Sequence, residues 1–90
     1  MAGRGEISWK GRDAEGARRE VLVRRHGDDW DFYERVRRFE RWERVAEPSL
    51  DDWRTLLDAV KRRAGRRLCP PEEPRRVHEL MRRRFPEAEG

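Results

Sequence analysis

Five of the eight aromatic residues (Trp30, Phe32, Tyr33, Phe39 and Trp42) fall within positions 30–42, so this one stretch holds much of the apolar mass available for a core. The constraint is severe because the chain has only 90 residues, 47% of them charged and 34% hydrophobic. A chain this short buries only roughly two-thirds of the surface it exposes when unfolded. Its core must therefore be small and lean on aromatic side chains, each of which removes a large area from water. Opposite charges are interspersed rather than blocked, which favours folding over disorder. The expectation is a single small domain over residues 6–86, with flexible ends at 1–5 and 87–90.

The aromatic stretch admits two readings. As a helix, Phe32, Val36, Phe39, Trp42 and Ala46 share a face, and Glu34/Arg38 and Glu40/Arg44 make i,i+4 pairs. As strands, the same residues pair across two turns. A two-residue type II′ turn at Gly27-Asp28 sets Val23 against Phe32, Arg24 against Asp31, Arg25 against Trp30 and Glu20 against Arg35. A second turn centred on Phe39 sets Val36 against Trp42, Arg35 against Glu43, Glu34 against Arg44 and Tyr33 against Val45. Every pair is apolar, oppositely charged or cation–aromatic, the combinations that stabilise sheets. One face then collects Val21, Val23, Trp30, Phe32, Val36 and Trp42. Aromatic enrichment also favours strands. Ile7-Ser8-Trp9-Lys10 and Val21-Leu22-Val23 add two more extended runs, separated by a glycine-containing loop over residues 13–17.

The C-terminal half reads as two helices. Ser49 is a good N-cap, with Asp52 three residues on to complete a capping box. Leu50, Trp53, Leu56, Leu57, Val60 and Ala64 then recur on one face, and Gly65 is the expected C-cap. Acids fill the first turn and Lys61, Arg62 and Arg63 the last, as the helix dipole favours. A second helix follows Cys69-Pro70-Pro71, tolerates Pro74 in its first turn, presents Val77, Leu80, Met81 and Phe85, and stops at Pro86. The predicted fold is α+β: an N-terminal antiparallel meander of three or four strands, with a C-terminal two-helix hairpin packed on one sheet face. A helix over residues 29–46 is the alternative.

Positive charge is unevenly distributed. Residues 1–52 carry 12 basic and 13 acidic side chains, a balance of −1, whereas residues 53–86 carry 11 and 4, a balance of +7; the last four residues add −2, giving the net of +4. A one-sided basic segment offers a polyanion somewhere to bind. Arginine outnumbers lysine 21 to 2, but along the whole chain, as a GC-rich genome would produce. Clustering is therefore the informative feature. Folding the hairpin brings the end of one helix beside the start of the next, so Arg62, Arg63, Arg66, Arg67, Arg75 and Arg76 form the candidate patch for phosphate oxygens of RNA or DNA. The alternative is a protein-interaction module, its arginines ordinary solvated helix faces and its contact made by an exposed aromatic or a sheet edge.

Other chemistry is poorly supplied. Cys69 stands alone, so no intrachain disulfide forms, and His78 lies about two helical turns beyond it, out of reach of a direct hydrogen bond. His26 with Asp28 or Asp29 is an incomplete metal set, and turn chemistry accounts for the acids. There is no phosphate-binding glycine loop and no nucleophile, zinc-protease or paired-cysteine motif. The standard nucleic-acid modules are absent too. The expectation is a protein without catalysis, metal or cofactor. No apolar run approaches the roughly 20 residues of a membrane span, and the first residues lack the apolar stretch of a signal peptide. Together with the lone cysteine, this predicts a cytoplasmic protein.

Overall fold

The computed structural model describes residues 6–13, 15–36 and 40–87. The chain divides into two compact units, Met1–Glu47 and Pro48–Gly90. Its architecture is α+β, a four-stranded antiparallel sheet followed by two helices. Of the expected flexible ends at 1–5 and 87–90, residues 1–5 and 88–90 lie outside the described residues, as does the turn centred on Phe39.

The sheet comprises β1 (Glu6–Arg12), β2 (Arg18–His26), β3 (Asp29–Arg35) and β4 (Glu43–Val45), in the order β1-β2-β3-β4. Alternation of apolar and charged residues builds it, because successive side chains in a strand point to opposite faces. Ile7, Val21, Val23, Trp30 and Phe32 are buried on one face. Trp9 lies on the same face, its ring set edge-on to Phe32 at 6.4 Å. The opposite face is a lattice of charges. Glu20 faces Arg35 and accepts two hydrogen bonds from it, at 3.3 and 3.0 Å. Arg24 pairs with Glu6 and lies 5.9 Å from the Tyr33 ring, and Arg44 reaches Asp31 at 3.4 Å.

The β2–β3 hairpin has the predicted register: Val23 opposite Phe32, Arg24 opposite Asp31, Arg25 opposite Trp30 and Glu20 opposite Arg35. Its turn is Gly27-Asp28, with Gly27 at φ 61° and Asp28 outside the positive-φ region, as type II′ geometry requires. Residues 29–35 and 43–45 are strands, which excludes the alternative helix.

The β3–β4 register is one residue away from the expected one. Phe32, Tyr33 and Glu34 lie opposite Val45, Arg44 and Glu43. Because side chains alternate, a one-residue slip moves a whole strand to the other face. Trp42 accordingly leaves the apolar face and stacks under the Arg35 guanidinium at 4.3 Å. Val36 lies beyond the end of β3 and is 54% exposed, so it leaves the apolar face as well. The slip gains a guanidinium–indole stack, and the resulting Glu34–Glu43 opposition is relieved by Arg19, 2.9 Å from Glu34.

The second unit comprises α1 (Leu50–Gly65) and α2 (Glu73–Arg84). Ser49 caps α1, its Oγ accepting from the Asp52 amide at 3.2 Å. Trp53, Leu56, Leu57 and Val60 form the buried stripe of α1, and Val77 and Met81 that of α2. Gly65 is not the cap. It is the last helical residue, Arg66 caps the helix, and Arg67 adopts the left-handed conformation at φ 61°. The amides of Leu68 and Arg67 donate to the carbonyls of Arg63 (2.8 Å) and Ala64 (3.1 Å), the two bonds of a Schellman motif. Arginine here holds a position that usually goes to glycine, because Cβ crowds the left-handed backbone.

Candidate functional site

The antiparallel sense of the helical hairpin follows from one contact. Arg84, in the last turn of α2, lies 4.8 Å from the ring of Trp53, in the first turn of α1. The arginines of the hairpin therefore divide between its two ends. Arg62, Arg63, Arg66 and Arg67 cluster where α1 ends, and Arg75 and Arg76 lie in the first turns of α2, a few residues along the same connection. Arg82, Arg83 and Arg84 sit at the far end.

Local structure explains the placement. Each helix puts acids in its first turn and arginines in its last, the arrangement that complements the helix dipole. The connecting residues 66–72 then bring the cationic end of α1 to the start of α2. Arg66, Arg67, Arg75 and Arg76 are exposed, and Arg63 is half-buried. Arg62 pairs with Asp58 at 3.1 Å, one turn back, with both side chains about two-thirds exposed. Such a surface pair contributes about 0.3–0.5 kcal/mol and yields readily to a better anion. The other five make no ion pair or side-chain hydrogen bond to any described residue. Two acids share this end of the hairpin: Glu72, exposed, and Glu73, buried at 3% exposure.

The arginines of the sheet differ. Arg19, Arg24, Arg35 and Arg44 are matched to Glu34, Glu6, Glu20 and Asp31. Arg12 and Arg25 donate to the carbonyls of Gly16 and Gly27. The charge of Arg19, Arg24, Arg35 and Arg44 is thus matched within the fold, whereas the carbonyl bonds of Arg12 and Arg25 leave theirs uncancelled.

The remaining candidates resolve into local roles. Cys69 directs its Sγ to the Val60 carbonyl at 3.7 Å, which ties the connection back to α1. His26 is an exposed partner of Asp31 at 3.3 Å. Among the described residues, no group of three or more His, Cys, Asp or Glu is placed to hold a metal ion. No helix among them is long and apolar enough to cross a membrane.

A second basic group escapes charge counting along the chain. Lys10, Arg12, Arg18 and Arg19 line one groove in the sheet unit with Gly11, Glu20 and Val36. Its only sequence signal is the basic residues flanking the 13–17 loop, and these converge only once β1 and β2 are in register. Comparison of the chain with protein-family models, curated proteins and solved structures finds no match.

Proposed function

We propose that this protein is a small non-catalytic accessory protein that binds the phosphate backbone of RNA or DNA through the connected end of its helical hairpin. Arg62, Arg63, Arg66, Arg67, Arg75 and Arg76 are the contacting residues, and no cofactor takes part. One observation carries the reading: the sheet's arginines are largely matched to partners, whereas five of these six have none among the described residues. Guanidinium groups without an internal acid are those free to make bidentate contacts to phosphate oxygens.

Such contacts supply affinity through counterion release, so binding must weaken steeply with salt. The log–log slope is about −0.9 per phosphate neutralised on duplex DNA and about −0.7 on single strands. Replacing Arg62, Arg63, Arg66 and Arg67 with Gln should lower affinity and flatten the slope together. Replacing Arg24 and Arg35, which have acid partners, should do much less. Equal losses from both sets would show that net charge alone drives the binding. The second reading, a protein-interaction module, has Leu68 on its side: 65% exposed, at the tip of the same connection. Absence of nucleic-acid binding at low salt would leave that reading as the better one.

A further inference from the structure

We propose that the groove formed by Lys10, Arg12 and Arg18 at the loop end of the β1–β2 hairpin is a second anion site, built to hold a phosphate group. This inference stands independently of the helical hairpin. It starts from the cross-strand pairs. Several charged residues in the sheet face an opposite charge: Glu6 faces Arg24, Lys10 faces Glu20, Glu20 faces Arg35 and Arg24 faces Asp31. Two pairs break the rule. Glu34 opposite Glu43 is relieved by Arg19, which bonds Glu34 at 2.9 Å. Arg12 opposite Arg18 has no such relief among the described residues.

Like charges directly opposed across strands are destabilising. The neighbouring acids do not compensate here. Asp13 accepts the amides of Glu15 and Ala17 at 2.9 Å each and so serves the loop's own backbone. Glu20 is held by Arg35, and Glu15 is exposed in the turn with no side-chain bond to a described residue. Lys10 and Arg18 have no ion pair or hydrogen bond to a described side chain, and Arg12 donates only to the Gly16 carbonyl at 2.8 Å. That bond anchors the Arg12 side chain while leaving its charge uncancelled.

Parity places Lys10, Arg12 and Arg18 on one face, beside a groove of about 650 Å³ that has room for a phosphate with its neighbouring atoms. A multivalent oxyanion bound there would replace the Arg12–Arg18 repulsion with two charge-assisted contacts.

The test is an amide-resolved NMR titration of the full chain at low ionic strength, with inorganic phosphate in one arm and a thymidine oligonucleotide in the other. Saturable shifts at Lys10, Gly11, Arg12 and Arg18 are expected. A response to phosphate alone marks a free phosphate as the ligand, and a response to the oligonucleotide marks a phosphodiester chain. Arg12→Gln combined with Arg18→Gln should weaken the interaction roughly tenfold or more, as expected for hydrogen bonds to charged groups. The same variant should melt no lower than the parent in phosphate-free buffer, because it removes a repulsion. Absence of saturable shifts with both probes, shifts that persist in the double variant, or a lower melting temperature for that variant would each overturn the proposal.

Discussion

Arg67→Gly should stabilise the protein and weaken its binding at once. Arg67 occupies the left-handed backbone region at φ 61°, where it closes the Schellman motif at the end of α1. For a residue with a Cβ, that conformation costs roughly 1–2 kcal/mol. Glycine removes the cost but gains freedom in the unfolded chain, which returns about 0.5–1 kcal/mol. The net gain is about 0.5–1 kcal/mol, or roughly 3–6 °C in melting temperature for a chain of this size. The same substitution deletes one proposed phosphate contact, so the salt slope should flatten by about 0.7–0.9. Arg67→Ala separates the two effects, since it removes the charge and keeps the strain. Thermal melts by circular dichroism and fluorescence anisotropy with an oligonucleotide across a salt series supply both readings. Equal melting of the Gly and Ala variants would refute the left-handed assignment. A higher melting Gly variant with an unchanged salt slope would remove Arg67 from the interface.

Three further outcomes follow from the packing. Leu56→Ala empties a fully buried position on α1 and should cost about 2–5 kcal/mol in urea denaturation. Gly27→Ala places a Cβ at φ 61° in the β2–β3 turn and should cost about 1–2 kcal/mol, with β2 and β3 amides exchanging faster. Arg35→Gln removes both hydrogen bonds to Glu20 and the stack on Trp42, and should cost about 1–2 kcal/mol with a change in tryptophan emission.

The two sheet turns show how far sequence reaches. Between β2 and β3 a two-residue turn with glycine first leaves one register, and complementary pairs on both faces agree with it. Between β3 and β4 the connection is longer and carries no such signal. Two registers then offer acceptable partners, and alternation alone cannot choose between them. The observed register is the one with Arg35 stacked on Trp42 and Arg44 reaching Asp31.

The helices are legible because capping and period coincide. Ser49 precedes an apolar stripe at 3.6-residue spacing, and Pro70-Pro71 precedes the next. Their charged ends could therefore be named from sequence. What sequence could not supply was the left-handed Arg67, since the nearby Gly65 is the stronger C-cap signal. It also could not reveal which arginines are spent on internal acids. Pairings such as Arg19 with Glu34, 15 positions apart, exist only in the folded sheet.

The position of β1 at the end of the sheet has a consequence for self-association. Among the described strands β1 pairs only with β2, so its other edge carries backbone donors and acceptors that no described strand takes up and another strand could extend. Lys10 and Arg12 stand on that strand as gatekeepers, because a second copy approaching the edge would bring its own cations to the same few positions. Neutralising them, or saturating them with a polyvalent anion, lowers that barrier. Colloidal behaviour in phosphate-rich buffer should then differ from that in chloride at equal ionic strength, with aggregation of the double glutamine variant, Lys10→Gln with Arg12→Gln, as its extreme.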